Sequence, residues 1–212
     1  LPDGSDLTRI QDGVNKHRPG YDLTFSAPKS VSMLAMLGGD KRLIDAHNRA
    51  VTVALNQVES LASTRVKRDG VSETVLTGNL IIARFNHDTS RAQDPQIHTH
   101  SVVINATQNG DKWQTLASDT VGKTGFSENI LANRIALGKI YQNSLRADVE
   151  SMGYKTVDAG KNGMWEMEGV PVESFSTRSQ ELREAAGPDA SLKSRDVAAL
   201  DTRKSKEAID PA

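Results

Sequence analysis

Three of the chain's five histidines lie within fourteen residues, in the stretch HDTSRAQDPQIHTH at 87–100. Imidazole is the commonest side-chain metal ligand in proteins, so this density indicates a metal site. Side chains two residues apart in a β-strand project from the same face, and His98 and His100 can therefore bind one ion. If a preceding strand ends at Asn86, a hairpin loop brings His87 beside them.

Three imidazoles leave coordination positions open for water or substrate, as catalytic metal sites require. The chain has no cysteine, which excludes disulfides and thiolate ligands. Neutral imidazole suits Zn²⁺, Ni²⁺ or Mn²⁺, and a phosphate substrate would also favour Mg²⁺ or Mn²⁺. The spacing does not select the ion. His17 and His47 lack companions of this kind and are interpreted as ordinary surface or helix residues.

Alternation and helical spacing predict the elements that position these histidines. YDLTFSA at 21–27 alternates as a half-buried strand does, which places Tyr21 and Asp22 on opposite faces. Residues 1–20 are rich in turn formers and are expected to be irregular or weakly helical. The other predicted elements are strands at 73–86, 97–106, 154–159 and 163–170, and helices at 31–37, 40–63, 126–152 and 176–187.

These elements predict an α+β fold with a central antiparallel sheet and helices packed mainly on one face. In the helix at 40–63, one stripe at helical spacing is expected to face the core: Leu43, Ala46, Ala50, Val53, Ala54 and Val58. A chain of 212 residues is long enough for one domain. Residues 190–212 are charged, contain few apolar side chains and are predicted to be mobile.

Composition limits the partners. The charge is balanced, with 26 Lys and Arg against 27 Asp and Glu, so any contact with nucleic acid must come from a local basic patch. The chain has no long apolar run and no signal-peptide pattern, so no membrane insertion is expected, and the absence of cysteine suits a cytoplasmic protein. We expect a monomer.

Four segments carry a resemblance to a known family. They are GYDLTFSAPKSVSMLAMLGGDKRLIDAHN at 20–48, HDTSRAQDPQIHTHSVV at 87–103, KTGFSENILANRIALGKIY at 123–141 and GMWEMEGVPVESFSTRSQ at 163–180. Together they closely resemble the MobF relaxases of F-like conjugative plasmids, over nearly the whole chain. The resemblance implies a HUH-type relaxase fold, named for its His-hydrophobic-His motif.

The resemblance also implies an activity. Family members nick one strand of plasmid DNA at the transfer origin through attack of a tyrosine on the scissile phosphate, and later reverse the reaction. By match to the family's motifs, His87, His98 and His100 would hold a divalent ion, and Asp22 would act beside it as a catalytic acidic residue, chiefly by positioning. Single-stranded transfer-origin DNA and relaxosome accessory proteins are the implied partners.

The chain departs from the family in its tyrosines. The family's nucleophilic tyrosines lie near the N-terminus, before the segment that matches Leu1, and the chain contains only Tyr21, Tyr141 and Tyr154. All three are interpreted as packing residues. The chain is therefore expected to be a single, N-terminally incomplete relaxase domain at 1–212 that forms no covalent DNA adduct by itself.

Contacts with DNA are predicted at four residues. Arg134 and Gln142 lie eight apart, near one face of the helix at 126–152, and are predicted to read bases; an ordinary solvated helix face is the alternative. Arg91 and Lys123 are predicted to contact the DNA backbone, the latter within a Lys-Thr-Gly segment that offers backbone amides to phosphate.

Two other functions fit the histidine cluster. One is a metal-bearing module that binds single-stranded DNA without nicking it. The other is a cupin-like or hydrolytic metalloenzyme that acts on a small molecule, although the long predicted helices argue against an all-β cupin.

Overall fold

The computed structural model describes residues 1, 4, 7, 8, 10–119, 121–175, 180, 181, 184 and 185. The described helices are α1 (Lys29–Met36), α2 (Arg42–Ser60) and α3 (Phe126–Ser151), with a 3-10 helix at Val172–Phe175. None of the described helices is long and apolar enough to cross a membrane. The predicted helix at 176–187 lies largely outside the described residues, and the predicted mobile segment at 190–212 lies wholly outside them.

The described strands all pair antiparallel. In chain order they are β1 (Ile10–Gln11), β2 (Val14–Asn15), β3 (Gly20–Ser26), β4 (Ser63–Arg68), β5 (Val71–Leu76), β6 (Ile82–Thr89), β7 (Pro95–Ile104), β8 (Thr107–Asn109), β9 (Lys112–Gln114), β10 (Thr156–Asp158) and β11 (Trp165–Met167). A three-stranded sheet has the order β3-β7-β6, and the other strands form two-stranded ribbons. Strand β7 therefore lies at the centre of the sheet.

The sheet has one buried face and one open face. Along β7, residues at odd positions from Ile97 to Val103 are buried, while His98 and His100 between them are only half-buried. Phe25 of β3 belongs to the buried face, where it packs with the helices and with Trp165. The expected α+β fold, with helices mainly on one face of an antiparallel sheet, is confirmed.

Helix α2 supplies much of the buried face. Its core side chains are Leu43, Ala46, Ala50, Val51, Ala54, Leu55 and Val58, all buried. Each large apolar side chain so buried stabilises the fold by about 1.5–3 kcal/mol. The prediction for Val53 was wrong, because this residue lies at the edge of the stripe and is 45% exposed.

Three ribbons, β1–β2, β4–β5 and β8–β9, were not predicted from the sequence. Strand β4 was not predicted because STRVKR is mostly polar, and the strand predicted at 73–86 is divided between β5 and β6. The β4–β5 hairpin turns at Asp69 and Gly70, with φ of 49° and 83°. Two consecutive positive φ values are typical of the turns that fit the twist of a hairpin. Residues 10–15, predicted as irregular or weakly helical, form a similar small ribbon.

Candidate metal centre and DNA-binding cleft

Strands β6 and β7 bring the three predicted metal ligands together on the open face of the sheet. His87 pairs directly opposite His98, and His100 follows on the same face. The ring centroid of His87 lies 5.1 Å from that of His98 and 5.4 Å from that of His100, and the centroids of His98 and His100 are 5.3 Å apart. The sequence prediction placed His87 in a loop after Asn86, but β6 continues to Thr89, so strand pairing holds this residue.

The ring separations fit a shared ion. With metal–nitrogen bonds of about 2.0–2.1 Å, imidazole centroids around one ion lie roughly 4.5–5.3 Å apart. The described residues do not, however, contain a ready-made cage of three or more histidine, cysteine or carboxylate ligands. The rings of His87 and His98 are stacked at 19°, and the in-plane lone pairs of stacked rings cannot meet at one point. A shared ion therefore requires the ring of His87 to rotate, and its exposure leaves it room to do so.

Hydrogen bonds select the ligand atom of the two histidines of β7. The Nδ1 of His98 lies 3.0 Å from the carbonyl oxygen of Gln96, to which it donates. The Nδ1 of His100 lies 2.7 Å from Oδ2 of Asp22 and 3.1 Å from Oγ1 of Thr24. In each ring Nε2 is then the atom available to a metal. Burial lowers the pKa of His98, which favours the neutral form that a metal ligand needs.

Asp22 lies next to the triad, as the resemblance implied. It belongs to β3, where its neighbour Tyr21 points to the opposite face and packs against Phe126 with 5.8 Å between ring centroids. The Asp22 side chain is 49% exposed and also lines the cleft above the histidines. This arrangement suits the positioning of His100, and it leaves the carboxylate accessible to a substrate.

A cleft of about 780 Å³ covers the open face, and the triad, Asp22 and Arg91 line it. Phe85 lines the same cleft; it pairs with His100 in register and is 53% exposed. Exposed aromatic rings are the side chains on which proteins that bind single-stranded nucleic acid stack bases. Sequence reasoning missed Phe85, although its position two residues before His87 in a strand was the signal that both share a face.

Arg134 borders a second depression of about 450 Å³, which also contains Asp22. The side chain of Arg134 is exposed, and its guanidinium donates to the carbonyl of Leu131 at 2.9 Å. The depression is mainly apolar, and Leu131 within it is 64% exposed. Asp22 is thus the residue that lines both the cleft above the histidines and the depression beside Arg134.

Gln142 does not share the exposed face of Arg134. It is 6% exposed, and its Nε2 donates to the carbonyl of Ser26 at 3.2 Å. Because Gln142 follows Arg134 by eight residues, its side chain is rotated by about 80° around the helix axis. This rotation is enough to direct Gln142 towards the sheet. The Oε1 of Gln142 is buried and has no hydrogen-bond partner among the described residues. The predicted common face was therefore wrong, and a base-reading role for Gln142 stays a prediction.

The segment before α3 differs from the prediction for Lys123. The backbone amide of Lys123 donates to the carbonyl of Asp119 at 2.8 Å, and the carboxylate of Asp119 accepts from the amide of Gly122 at 2.9 Å. Glu128 occupies the amide of Asp119 in the same way, at 3.0 Å. The amide of Lys123 is therefore taken by a carbonyl, and two carboxylates take the neighbouring amides of Gly122 and Asp119, whereas the exposed ammonium of Lys123 stays available to DNA.

The three tyrosines are packed as the sequence indicated. Tyr141 is 1% exposed and bonded to His47, and burial raises the pKa of its hydroxyl. Tyr154 donates to Oδ2 of Asp40 at 2.8 Å. Tyr21 lies beneath the guanidinium of Arg18, 5.4 Å from its ring centroid. None of the three lines the cleft above the histidines.

The chain belongs to the TrwC relaxase family, whose family model matches residues 1–212. It is 75% identical over 211 residues to the multifunctional conjugation protein TraI of Escherichia coli. The aligned region covers 100% of this chain and 12% of that protein. The chain therefore spans about an eighth of the length of this relative.

Solved structures of the conjugative relaxase TrwC share the fold. A metal-free complex of TrwC with oriT DNA is 33% identical, with a TM-score of 0.84 over 98% of this chain and 74% of that one. A metal-bound complex with oriT DNA is 34% identical, with a TM-score of 0.83 over 98% of this chain and 72% of that one.

Proposed function

We propose that the chain belongs to a relaxase domain that, together with a tyrosine-bearing segment supplied from outside residues 1–212, nicks single-stranded plasmid DNA at a transfer origin and rejoins or transfers the strand, which initiates conjugative transfer. The observation that carries this proposal is the triad of His87, His98 and His100 on the floor of an open cleft, with Asp22 bound to His100. Membership of the relaxase family and the likeness to relaxases described in complex with oriT DNA support it.

The reaction is a transesterification. The oxygen of a tyrosine hydroxyl forms a bond to the scissile phosphorus, the bond from phosphorus to the 3′ oxygen breaks, and the proton lost by the tyrosine is balanced by the proton gained by the leaving 3′ oxygen, which becomes a 3′-hydroxyl. Reversal restores the strand. A divalent ion held by the triad would polarise the non-bridging phosphate oxygens. Asp22 holds the orientation of His100 and, being half exposed, can also accept the proton of the attacking hydroxyl.

DNA would follow the open cleft. Phe85 offers a ring on which one base can stack, and Arg91 at the end of the cleft and the ammonium of Lys123 would contact phosphates. Arg134, next to the depression shared with Asp22, would contact base edges. Gln142 would contribute to base reading only if the DNA strand reaches its buried side-chain amide.

The ion is proposed to be Mg²⁺ or Mn²⁺, with Zn²⁺ or Ni²⁺ as alternatives. Three imidazole nitrogens suit Mn²⁺, Zn²⁺ and Ni²⁺, whereas phosphate oxygens suit Mg²⁺ and Mn²⁺. Mn²⁺ satisfies both requirements and is the first ion to test. As a relaxase, residues 1–212 would act as one domain and as a monomer, in the cytoplasm where plasmid DNA resides, together with relaxosome accessory proteins.

A second candidate is a module that binds metal and single-stranded DNA without nicking. The packing of Tyr21, Tyr141 and Tyr154 away from the cleft favours it for these residues taken alone. The small-molecule metalloenzyme is not retained, because the family is a relaxase family.

Labelled single-stranded transfer-origin DNA tests the proposal, with a scrambled strand of the same composition as control. The relaxase proposal predicts preference for the origin strand by residues 1–212, and metal-dependent nicking by the chain joined to the relatives' tyrosine-bearing segment. Equal affinity for both strands would contradict any origin-specific role. Origin preference without nicking in the joined chain would favour the binding module.

A further inference from the structure

His47 lies on the buried side of the sheet, behind the triad. It belongs to α2 and is 1% exposed. Its Nδ1 lies 2.8 Å from the hydroxyl of Tyr141, and its Nε2 lies 2.7 Å from Oγ1 of Thr99. Thr99 is fully buried and stands between His98 and His100, pointing to the opposite face of β7.

The donors and acceptors in this cluster have one consistent direction. The hydroxyl of Thr99 donates to Oδ1 of Asn86 at 2.8 Å, so it can only accept from His47. Nε2 of His47 is therefore the protonated nitrogen, and Nδ1 accepts from the hydroxyl of Tyr141. The result is a chain of neutral hydrogen bonds from Tyr141 through His47 and Thr99 to Asn86.

This series of hydrogen bonds ends on both strands that carry the triad. Thr99 and Asn86 are register partners in β7 and β6, one residue away from the pair formed by His98 and His87. The amide of Asn86 also donates to Oδ1 of Asn48 on α2, at 3.2 Å. Two side chains of one helix thus hold the two strands from behind, at the level of the metal ligands.

We propose that His47 is a positioning residue for the metal centre: through Thr99 and Asn86 it holds the two histidine-bearing strands at the spacing that lets three imidazoles bind one ion. The inference rests on the proposed metal-dependent function. A buried histidine needs hydrogen-bond partners whatever its role, so the place of those partners carries the inference. Here the hydrogen bonds lead to residues adjacent to every member of the triad.

The test compares Mn²⁺ affinity by isothermal titration calorimetry in variants of the whole chain. His47→Leu keeps a similar volume but removes both hydrogen bonds, whereas His47→Gln can still donate to Thr99, because its amide nitrogen is three bonds from Cβ, as Nε2 of histidine is. We expect about tenfold weaker binding for His47→Leu, and affinity close to wild type for His47→Gln. Equal affinity in folded His47→Leu and wild type overturns the proposal.

Two further variants separate positioning from general loss of stability. Thr99→Val removes the link on the sheet with little change in shape, and Thr99→Ser keeps it; the first is expected to weaken Mn²⁺ binding and the second to preserve it. Tyr141→Phe removes a hydrogen bond of similar burial on the other side of His47. Equal weakening by Tyr141→Phe and Thr99→Val would assign the effect to stability and overturn the proposal, even if His47→Leu does not fold.

The wild-type arm separates this inference from the function on which it rests. If the folded wild-type chain binds no Mn²⁺, the metal-dependent function fails, and this inference fails with it. If the wild type binds Mn²⁺ and Thr99→Val binds it equally well, only the role of His47 is overturned.

Discussion

Oδ2 of Asp22 lies 2.7 Å from Nδ1 of His100, a contact that joins β3 to the neighbouring β7. The carboxylate fixes the ring so that its other nitrogen faces the cleft. A carboxylate that accepts a hydrogen bond from the ring N–H of a metal-binding histidine orients the ring and raises its basicity. The contact therefore gives Asp22 a position from which it can act on the proposed metal ligand His100.

Replacement of Asp22 by Asn is expected to weaken Mn²⁺ binding by about 10-fold, because the amide oxygen is a weaker acceptor than the carboxylate for His100. The fold should persist, since Asp22 is half exposed. Calorimetric titration measures the affinity. Asp111→Asn, which removes an exposed carboxylate at the β8–β9 turn, is the matched control. If Asp22→Asn binds Mn²⁺ as tightly as the wild type does, the contact between Asp22 and His100 does not contribute to metal binding.

The stability of the fold should depend on the neutral form of His47. Burial lowers its pKa to about 4 from 6.5, so protons bind the unfolded state more readily. This contribution is complete above about pH 6.5 and is lost as the pH falls towards 4. Between pH 7 and 4.5 the wild type should lose about 2 kcal/mol more unfolding free energy than His47→Gln. Urea unfolding at several pH values measures the unfolding free energy of both proteins. The same pH dependence in wild type and His47→Gln would contradict the effect of burial on the pKa of His47.

Arg134 is expected to affect which DNA sequence is bound. Contacts to base edges carry sequence information and contacts to phosphates do not. Exchange of Arg134 for Gln should therefore change the ranking of origin sequences in competition binding, while Arg49→Gln, which removes an ion pair with Asp148, should leave it unchanged. A uniform loss for every single-stranded competitor would make Arg134 a phosphate contact.

Residues 1–212 by themselves should form no covalent adduct with DNA. The hydroxyls of Tyr141 and Tyr154 are engaged by His47 and Asp40, and Tyr21 faces away from Asp22. Denaturing electrophoresis with a labelled origin strand and Mn²⁺ detects an adduct. A phosphotyrosyl product that maps to any of these three tyrosines would contradict their assignment as packing residues.

The histidine triad was predictable because strand alternation alone places His98 and His100 on one face. The position of His87 was predictable only as proximity, since the polar sequence between Asn86 and Asp94 gives no sign that β6 continues to Thr89. The hydrogen-bonding role of His47 was not predictable. Helical spacing places His47 in the core stripe, four residues after Leu43 and three before Ala50, but its partner Thr99 is far away in sequence and gives no local signal.

The prediction for Gln142 failed for a related reason. Helical spacing gives the angle between two side chains, but not which direction the sheet occupies, and about 80° separates exposure from burial here. The DNA contact predicted at Lys123 stays a prediction, and its backbone part is narrower than local composition indicated, because the amide of Lys123 already donates to the carbonyl of Asp119.

The central claim is that the triad binds a divalent ion that acts on transfer-origin DNA. Calorimetric titration of the chain with Mn²⁺, with and without the origin strand, tests it most directly in wild type and His98→Ala. We predict one ion per wild-type chain, tighter binding when the strand is present because coupling between two ligands is reciprocal, and loss of both effects in His98→Ala. Mn²⁺ binding that is equal in the two proteins, or indifferent to the strand, would contradict the account.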